Sequence, residues 1–457
     1  MEKLADFVSS HISDDPVRLI MNRDRWPEID MDMAVNSIES RRKLRDKVRE
    51  WHDEPRLVFP LKLSAEQCSS SATGRYKAGL ASRISGKESW AIADLTGGLG
   101  VDSWFFSQKA QRVLYNEMQE VLCRAAEHNF KVLEAGNISV SNGIARQGDI
   151  EKILDGFNPD IVYMDPARRG EGGRKVFLIE DCTPDVLTLK DEIFVHTRHI
   201  LLKLSPMADI TMACSRLGST CREVHVVASG GECKELLIWM DQEWNDGYSI
   251  TAVEIHNDGS ISEFTFSPSD EKAAAPHLSD RQMSVIGIFP PPGRVASDLG
   301  NGPVDLFREQ PAAAGSVRGP LAEWEGADGR HCLSERWLFE PGKALMKAGA
   351  FNLISERFGI GKLGASTHYY IVEDEAKAAG LKGHGKLYRI ISCSPLDKRS
   401  IKSAGKDYPK AEVTARNIPM DTDTLRKKLG VSSGDDIHIF GLRSDVDGNL
   451  LLITARL

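Results

Sequence analysis

The feature that most constrains the fold of this 457-residue chain is a glycine-rich turn between a strand and a helix. The apolar run Ala91–Leu95 predicts a buried strand, and helical spacing begins at Val101. Three glycines, Gly97, Gly98 and Gly100, stand between the two. A turn of this kind brings backbone N–H groups and a helix N-terminus to a ligand, so it predicts a nucleotide-type binding loop.

Strand-like runs alternate with amphipathic stretches over residues 67–271. The runs are rich in Val, Ile and Leu, and they are AIADLTG, RVLYNE, ISVSNG, PDIVYMDP, HILLKLSP, EVHVVASG and KELLIWM. This alternation predicts an α/β fold, a doubly wound sheet with helices on both faces. The runs YSITAVEI and GSISEFTF that follow predict a further hairpin.

The flanking segments differ from this α/β region. Residues 1–66 show helical spacing without strand-like alternation and predict a helical N-terminal domain. Residues 272–334 are rich in Gly, Pro and Ala and predict an insertion or linker. Residues 335–380 and 381–457 mix short strands and helices, which indicates small α+β domains.

Composition excludes several classes of protein. No apolar run reaches the roughly 18 residues that cross a bilayer, and the N-terminal stretch lacks a signal-peptide pattern, so we expect a cytoplasmic protein without membrane partners. The eight cysteines form no C-x-x-C pair, so we expect no metal site. The net charge is −8, yet residues 382–428 carry twelve Lys or Arg against five acids. That local excess of positive charge suits the binding of a polyanionic partner.

Acidic residues follow the strands at the edge where a ligand would sit. Glu117 ends the second strand about 20 residues after the glycine turn, where an acid accepts hydrogen bonds from ribose hydroxyls. Asp149 follows the third strand and could meet an adenine amino group. The fourth strand ends at Asp165, in DPARR. Ser103 replaces the third glycine of the dinucleotide fingerprint, which disfavours a nicotinamide cofactor without excluding it.

The order and spacing of DLTGGLGVD, Glu117, Asp149 and DPARR resemble the motifs of class I S-adenosylmethionine-dependent methyltransferases. The segments WLFEPGKALMKAGAFNLISERFG and KAEVTARNIPMDTDTLRKKLGV look like the ferredoxin-like and THUMP-like domains of a bacterial subfamily, at 335–380 and 381–457. The resemblance implies a Rossmann-like sheet and S-adenosyl-L-methionine as cofactor. The cofactor-binding residues that it implies are Asp94, Thr96, Gly97, Gly98, Gly100, Asp102, Glu117, Asp149 and Asp165.

Two acceptor chemistries remain open. DPARR is similar to the D-P-P-Y/F motif of amino-group methyltransferases, with Asp165 and Pro166 at the amine but Arg168 in place of the stacking aromatic. Alternatively, four residues follow the order of the Lys-Asp-Lys-Glu tetrad of ribose 2′-O-methyltransferases, in which a lysine with a depressed pKa takes a proton from a hydroxyl. These four are Lys77, Asp165, Lys203 and Glu223, for which ordinary salt bridges or contacts with the cofactor are the alternative.

Basic residues predict a phosphate-bearing substrate. The candidates lie in the loop after the fourth strand and in the basic C-terminal segment, and they are Arg168, Arg169, Arg174, Lys398, Arg399 and Lys402. THUMP domains are associated with RNA-modifying enzymes, so the resemblance implies tRNA or rRNA as the partner. Two other functions stay open: a non-catalytic RNA-binding or ribosome-assembly protein that retains a cofactor pocket, and a nicotinamide-dependent oxidoreductase.

Overall fold

The computed structural model describes residues 2–168, 179–274, 336–434 and 436–456. Its contacts divide the chain into two units. The first comprises Met1–Ser269 with Lys343–Gly349, and the second comprises Asp270–Gly342 with Ala350–Leu457. Most of the insertion predicted at 272–334 lies outside the described residues.

Short helices form the N-terminal part of the first unit. They are α1 (Glu2–Ser10), α2 (Pro16–Met21), α3 (Met31–Leu44), α4 (Arg49–His52) and α5 (Lys62–Gln67), with a 3₁₀ helix at Arg23–Arg25. The guanidinium of Arg41 is buried on α3 and donates to backbone carbonyls between Trp51 and Leu57. One side chain therefore fixes the segment that leads from α4 toward α5.

Nine strands of the first unit form one sheet, in the order β11-β10-β8-β9-β7-β4-β1-β2-β3. Strands β9 and β11 run antiparallel to their neighbours, and the others run parallel to one another. All seven predicted strand runs and the predicted hairpin, β10-β11, are confirmed. The strands are β1 (Ala91–Asp94), β2 (Arg112–Glu117), β3 (Ile138–Asn142), β4 (Ile161–Met164), β5 (Ala167–Arg168), β6 (Cys182–Thr183), β7 (His199–Leu204), β8 (Cys221–Ser229), β9 (Glu232–Asp241), β10 (Ser249–Ile255) and β11 (Ile261–Phe266), of which β5 and β6 pair separately.

Every residue of β1 and of β4 is buried, as expected for strands covered on both faces. The remaining helices associated with this unit are α6 (Ser71–Ser85), α7 (Val101–Ser107), α8 (Glu120–Val132), α9 (Ile150–Leu154), α10 (Val186–His196), α11 (Ile210–Leu217), α12 (Pro268–Ala273), which runs across the boundary into the second unit, and α13 (Lys343–Ala348), with a 3₁₀ helix at Ile179–Asp181. Helices α6 and α7 approach closely, because a Cβ on Gly74 would lie 2.2 Å from the ring of Phe105. Together they cover one face of the sheet, and Lys77 lies on α6.

The second unit is built on a seven-stranded sheet in the order β13-β14-β12-β15-β18-β17-β16. Its strands are β12 (Trp337–Pro341), β13 (Gly361–Lys362), β14 (Tyr370–Val372), β15 (Gly385–Pro395), β16 (Glu412–Arg416), β17 (Ile437–Ser444) and β18 (Gly448–Arg456). Its helices are α14 (Leu353–Phe358), α15 (Glu375–Gly380), α16 (Lys398–Asp407) and α17 (Thr422–Leu429). Along β18, Leu450 and Leu452 belong to one core and Leu451 and Ile453 to another, so apolar side chains pack on both faces.

Within the part of the chain that is described, no helix combines the length and the apolar character that a membrane span requires.

Candidate active site

The carboxylate of Asp94 ends β1 and is held from two sides. The Ser103 hydroxyl donates to Oδ2 at 2.6 Å, and the backbone N–H of Thr96 donates to Oδ1 at 3.0 Å. Ser103 occupies the position of the missing third glycine, so that departure from the dinucleotide fingerprint supplies a support for Asp94. Burial raises the pKa of Asp94 to about 7, although both hydrogen bonds oppose the shift.

The glycine turn rests directly on the ring of Tyr115. A Cβ on Gly97 would lie 2.2 Å from that ring. Gly100 has φ +91°, a backbone conformation that residues with a side chain rarely adopt. The Tyr115 hydroxyl donates to the carbonyl of Gly98 at 2.6 Å. The contacts with Tyr115 therefore fix the conformation of the turn, and its backbone can lie close to a bound ligand.

The carboxylate of Glu117, at the end of β2, lies beside this turn. Its Oε2 accepts from the Gly98 N–H at 3.0 Å and its Oε1 accepts from the Gln119 N–H at 2.9 Å. Each carboxylate oxygen can accept more than one hydrogen bond, so both can still accept from ligand hydroxyls.

These residues line one cavity of about 240 Å³, which we call the cofactor cavity. Eight of the nine residues predicted to bind the cofactor line it: Asp94, Thr96, Gly97, Gly98, Gly100, Asp102, Glu117 and Asp165. Among the described residues that line it there are four carboxylates and no Lys or Arg. Asp102 and Asp165 have lysine partners that do not line the cavity, whereas no ion pair is seen for Asp94 or Glu117 in the described part of the chain. A wall with carboxylates and no Lys or Arg suits a cationic ligand and opposes a pyrophosphate, so the donor set fits a sulfonium cofactor with ribose hydroxyls.

Asp149 is the predicted residue that the structure does not bring to this cavity. It precedes α9 and forms an ion pair with Arg146. The cavity wall near the end of β3 is formed instead by Gly143, Ile144 and Ala145.

Five buried or half-buried charged residues form a network beside the cavity. We call Lys77, Asp102, Asp165, Lys203 and Glu235 the lysine–carboxylate network. The fully buried Lys77 ammonium donates to both oxygens of Glu235, at 2.7 and 2.9 Å, and lies 3.3 Å from Asp102 Oδ1. The Lys203 ammonium lies 2.5 Å from Asp165 Oδ2 and 3.9 Å from Glu235 Oε2. Three carboxylates thus surround two ammonium groups.

The network changes the pKa values of its members in a definite direction. Burial alone would lower the pKa of Lys203, but the carboxylates of Asp165, Glu235 and Asp102 raise it above the ordinary lysine value. Burial opposes ionisation of Asp102, yet the charges of Lys77 and Lys203 hold its pKa below the ordinary value. The depressed lysine pKa that the tetrad prediction requires is therefore not found at Lys203, which keeps its proton at neutral pH.

Glu223, the predicted fourth member of the tetrad, lies elsewhere. It accepts from Arg83 at 2.5 and 3.2 Å and contacts His225 at 3.1 Å, and these hydrogen bonds overcome burial and lower its pKa to about 2. On β8, Val227 stands opposite Glu235 and Glu223 stands opposite Trp239. Glu223 is therefore four residues, about 13 Å, farther along the same face.

Glu235 takes the place that the order of residues suggested for Glu223. It begins the buried part of β9, and its strand is paired with β7 so that Lys203 stands opposite Leu237, two residues away. The sequence signal for this residue was its position as the acid at the start of the apolar run KELLIWM. The hydroxyls of Ser69 and Tyr163 also donate to Asp102, at 2.9 and 2.8 Å, and neither was predicted.

The end of β4 is anchored to the glycine turn. The backbone N–H of Asp165 donates to Thr96 Oγ1 at 2.6 Å, and Pro166 is buried. Arg168 lies in the short strand β5, whereas Arg169 and Arg174 lie outside the described residues.

In the second unit, Lys398, Arg399 and Lys402, which we call the α16 cations, are exposed. Helix α17 packs against α16, and a Cβ on Gly405 would lie 1.8 Å from the carbonyl of Leu429. Lys427 and Lys428 of α17 are exposed as well. Two adjoining helices thus carry solvent-facing cations.

Comparisons with known proteins agree with this architecture. Two family models match the second half of the chain, a ferredoxin-like domain at residues 337–377 and a THUMP domain-like model at residues 385–456. The whole chain is similar to a protein of Porphyromonas gingivalis W83 described as a "putative methyltransferase", with 26% identity, a TM-score of 0.76 and coverage of 100% of this chain and 98% of that one. The fold is that of the Rossmann-like methyltransferases. The larger unit accordingly contains the methyltransferase fold, and the smaller one contains the THUMP-like domain and most of the ferredoxin-like match, of which Lys343–Gly349 belongs to the larger unit.

Other solved methyltransferases resemble smaller parts of the chain. An rRNA methylase from Streptococcus thermophilus has 10% identity and a TM-score of 0.26 over 36% of this chain and 94% of its own. A precorrin-6y C5,15-methyltransferase from Geobacter metallireducens GS-15 has 16% identity and a TM-score of 0.25 over 36% and 86%. No curated protein matches the chain. Across the described ranges, no group of three or more His, Cys, Asp or Glu is placed to hold a metal ion.

Proposed function

We propose that the protein is an S-adenosylmethionine-dependent methyltransferase that modifies RNA. The observation that carries the proposal is the charge of the cofactor cavity, which has four carboxylates and no Lys or Arg among its described lining residues. A sulfonium cofactor is attracted by such a wall, whereas the pyrophosphate of a nicotinamide dinucleotide is repelled. When bound, S-adenosylmethionine supplies an electrophilic methyl group.

The residues of the chain divide the remaining work. Glu117 is placed to accept from ribose hydroxyls, and Asp94 faces the cavity with a carboxyl whose pKa of about 7 can fall when a cation binds. Asp165 reaches the cavity from β4 and is held by Lys203 and by Thr96. Pro166 follows it at the edge of the sheet. We assign to Asp165 the orientation of the acceptor.

The same geometry favours an amine nitrogen over a ribose hydroxyl as the acceptor. A ribose hydroxyl needs a base that removes its proton during transfer, but the raised pKa of Lys203 keeps that lysine protonated. The fully buried Lys77 is saturated by Ser69, Glu235 and Asp102. An exocyclic amine needs only a partner that orients its hydrogens, and a carboxylate such as Asp165 can do this.

RNA is proposed as the substrate because the THUMP-like domain carries the exposed α16 cations, which can neutralise phosphates. We also propose the domain limits of the sequence analysis: helices over 1–66, the methyltransferase domain over 67–271, the insertion over 272–334, and the ferredoxin-like and THUMP-like domains over 335–380 and 381–457. Arg168, Arg169 and Arg174 remain proposed phosphate contacts.

The testing experiment incubates the protein with methyl-labelled S-adenosylmethionine and total RNA from cells that lack it. The RNA is digested to nucleosides, which are analysed by mass spectrometry. Label on a base nitrogen is expected, and label on a ribose would refute the acceptor assignment. Cofactor binding without label in any RNA would support the non-catalytic alternative, and binding of a nicotinamide dinucleotide in place of S-adenosylmethionine would overturn the proposal.

A further inference from the structure

A second cavity, larger than the first, lies in the same unit. It has a volume of about 1090 Å³ and shares the wall residues Gln67, Cys68 and Ser69 with the cofactor cavity. The segment between α3 and α4, one face of α6 from Ser71 to Arg83, and the turns after β8 and β10 line it. Strands β8 and β10 run parallel to β1, so these turns lie at the carboxyl edge of the sheet, where α/β folds bind their ligands.

The two cavities differ in charge. Among the described residues, the second cavity is lined by seven Lys or Arg and three acids, whereas the cofactor cavity has four acids and no Lys or Arg. The cations of the second cavity are Lys43, Lys47, Arg49, Arg75, Arg83, Lys203 and Lys234. A cavity of this kind favours an anionic ligand.

Most of these cations already have carboxylate partners, and apart from Glu235, which contacts Lys203, these partners do not line the cavity. Arg49 pairs with Asp53 at 3.4 Å and Lys234 pairs with Glu232 at 2.7 Å, both near the surface. Exposed pairs of this type contribute little to stability, so a phosphate can replace the carboxylate at small cost. Lys47 differs, because its ammonium donates to the backbone carbonyl of Glu66 at 2.6 Å.

The lysine–carboxylate network connects the two cavities. Lys203 and Glu235 line the second cavity, and Asp165 lines the cofactor cavity. The 2.5 Å contact between Lys203 and Asp165 therefore crosses from one to the other. A group that binds beside Lys203 in the second cavity therefore lies next to the ion-pair partner of Asp165, the carboxylate to which we assign acceptor orientation.

We propose that the second cavity receives the acceptor nucleotide of a single-stranded RNA segment together with its flanking phosphates. The volume exceeds the roughly 300–1,000 Å³ of most small-ligand pockets, so it can hold more than one nucleotide. A paired base cannot enter a cavity, so the target is single-stranded or displaced from its helix. This inference rests on the proposed function and deepens it, because it assigns the entry route of the RNA.

The test compares two matched double charge reversals. Arg49→Glu with Lys234→Glu changes two paired surface cations of the second cavity, and Arg124→Glu with Lys131→Glu changes two paired surface cations of α8 that line neither cavity. Binding of a fluorescent single-stranded RNA of about 15 nucleotides is measured across a salt series. S-Adenosylmethionine binding is measured by calorimetry in each variant as a check of folding, and Arg49→Gln with Lys234→Gln serves if the reversal fails that check.

The cavity variant is expected to bind the RNA at least about tenfold more weakly at 0.1 M salt, with a salt slope lower by about 1.4, since each single-strand phosphate contact contributes about 0.7. The α8 variant is expected to match the unaltered protein. Equal RNA binding by the two double reversals would overturn the proposal.

Photo-crosslinking with 4-thiouridine RNA gives an independent readout. Crosslinks to peptides within 67–83 or 229–235 support the assignment, and crosslinks confined to the THUMP-like domain overturn it. Methyl label found in a protein acceptor and lost in the cavity variant would refute RNA as the occupant. Because binding and crosslinking need no methyl transfer, failure of the proposed reaction is distinguishable from failure of this inference.

Discussion

Replacing Lys77 by methionine tests the central element of the site, the lysine–carboxylate network. Lys77 is fully buried, and its ammonium contacts Ser69, Asp102 and both oxygens of Glu235. The substitution keeps the length of the apolar stem but leaves two nearly buried carboxylates without this cation. Removing one partner of a buried ion pair typically costs about 3–5 kcal/mol, so we expect a loss of this size in the free energy of unfolding at about pH 8.

The loss in free energy of unfolding of Lys77→Met should depend on pH, and the titration of Asp102 sets the direction of that dependence. In the unaltered protein its pKa is held below the ordinary value, so its interactions stabilise the fold above the unfolded pKa and are lost as pH falls through the folded pKa. Without Lys77, burial raises the pKa of Asp102 against the charge of Lys203 and the hydrogen bonds from Tyr163 and Ser69 only. The carboxyl then takes up a proton as pH falls, and the deficit should be smaller at about pH 5.5 than at about pH 8.

Urea denaturation at the two pH values measures both effects. Lys234→Met is the control, because Lys234 is 40% exposed and pairs with the exposed Glu232, and it should change stability by less than about 0.5 kcal/mol. Lys77→Met combined with Glu235→Gln should recover part of the loss. A loss below about 1 kcal/mol for Lys77→Met, or one that does not vary with pH, would refute the account of the network.

Three further predictions concern ligands. Glu117→Ala should weaken S-adenosylmethionine binding by about 1–3 kcal/mol in calorimetry, whereas Asp149→Ala should leave it unchanged, and equal effects would contradict the cavity assignment. Asp94 has a pKa of about 7, so cofactor affinity should rise between about pH 6 and pH 8 with release of a proton, detectable as a buffer-dependent binding heat that Asp94→Asn abolishes. Charge reversal of the α16 cations should reduce RNA affinity and its salt slope without altering cofactor binding, and an unchanged salt series would exclude the α16 surface from the interface.

The sequence predicted the parts of the fold that depend on short-range patterns. The apolar runs of β1 and β4 identify strands buried on both faces, and the glycines at 97 and 100 identify a turn whose shape only glycine permits. Glu117 was also identified, because its place at the end of the second strand follows from chain order alone.

Other parts of the site depend on register, which chain order does not reveal. Glu223 and Glu235 both follow Lys203 along the chain, and only the pairing of β8 with β9 decides which one meets Lys77. That pairing contains irregularities between Cys221 and Glu223 and between Val227 and Ala228, and no sequence pattern signals them. The position of Asp149 depends on the loop after β3, where it forms an ion pair with Arg146 and does not line the cavity.

The position of the lysine–carboxylate network is explained better by function than by stability. A buried set of charges is often no more stable than apolar side chains of the same volume, because desolvation offsets the attraction between the partners. Here the set lies where a cavity lined by carboxylates meets one lined by cations. Lys203 compensates part of the negative charge at that boundary and holds Asp165 in one place. A carboxylate held in one orientation where the two cavities meet can orient an acceptor for the proposed in-line methyl transfer, since that reaction depends mainly on orientation.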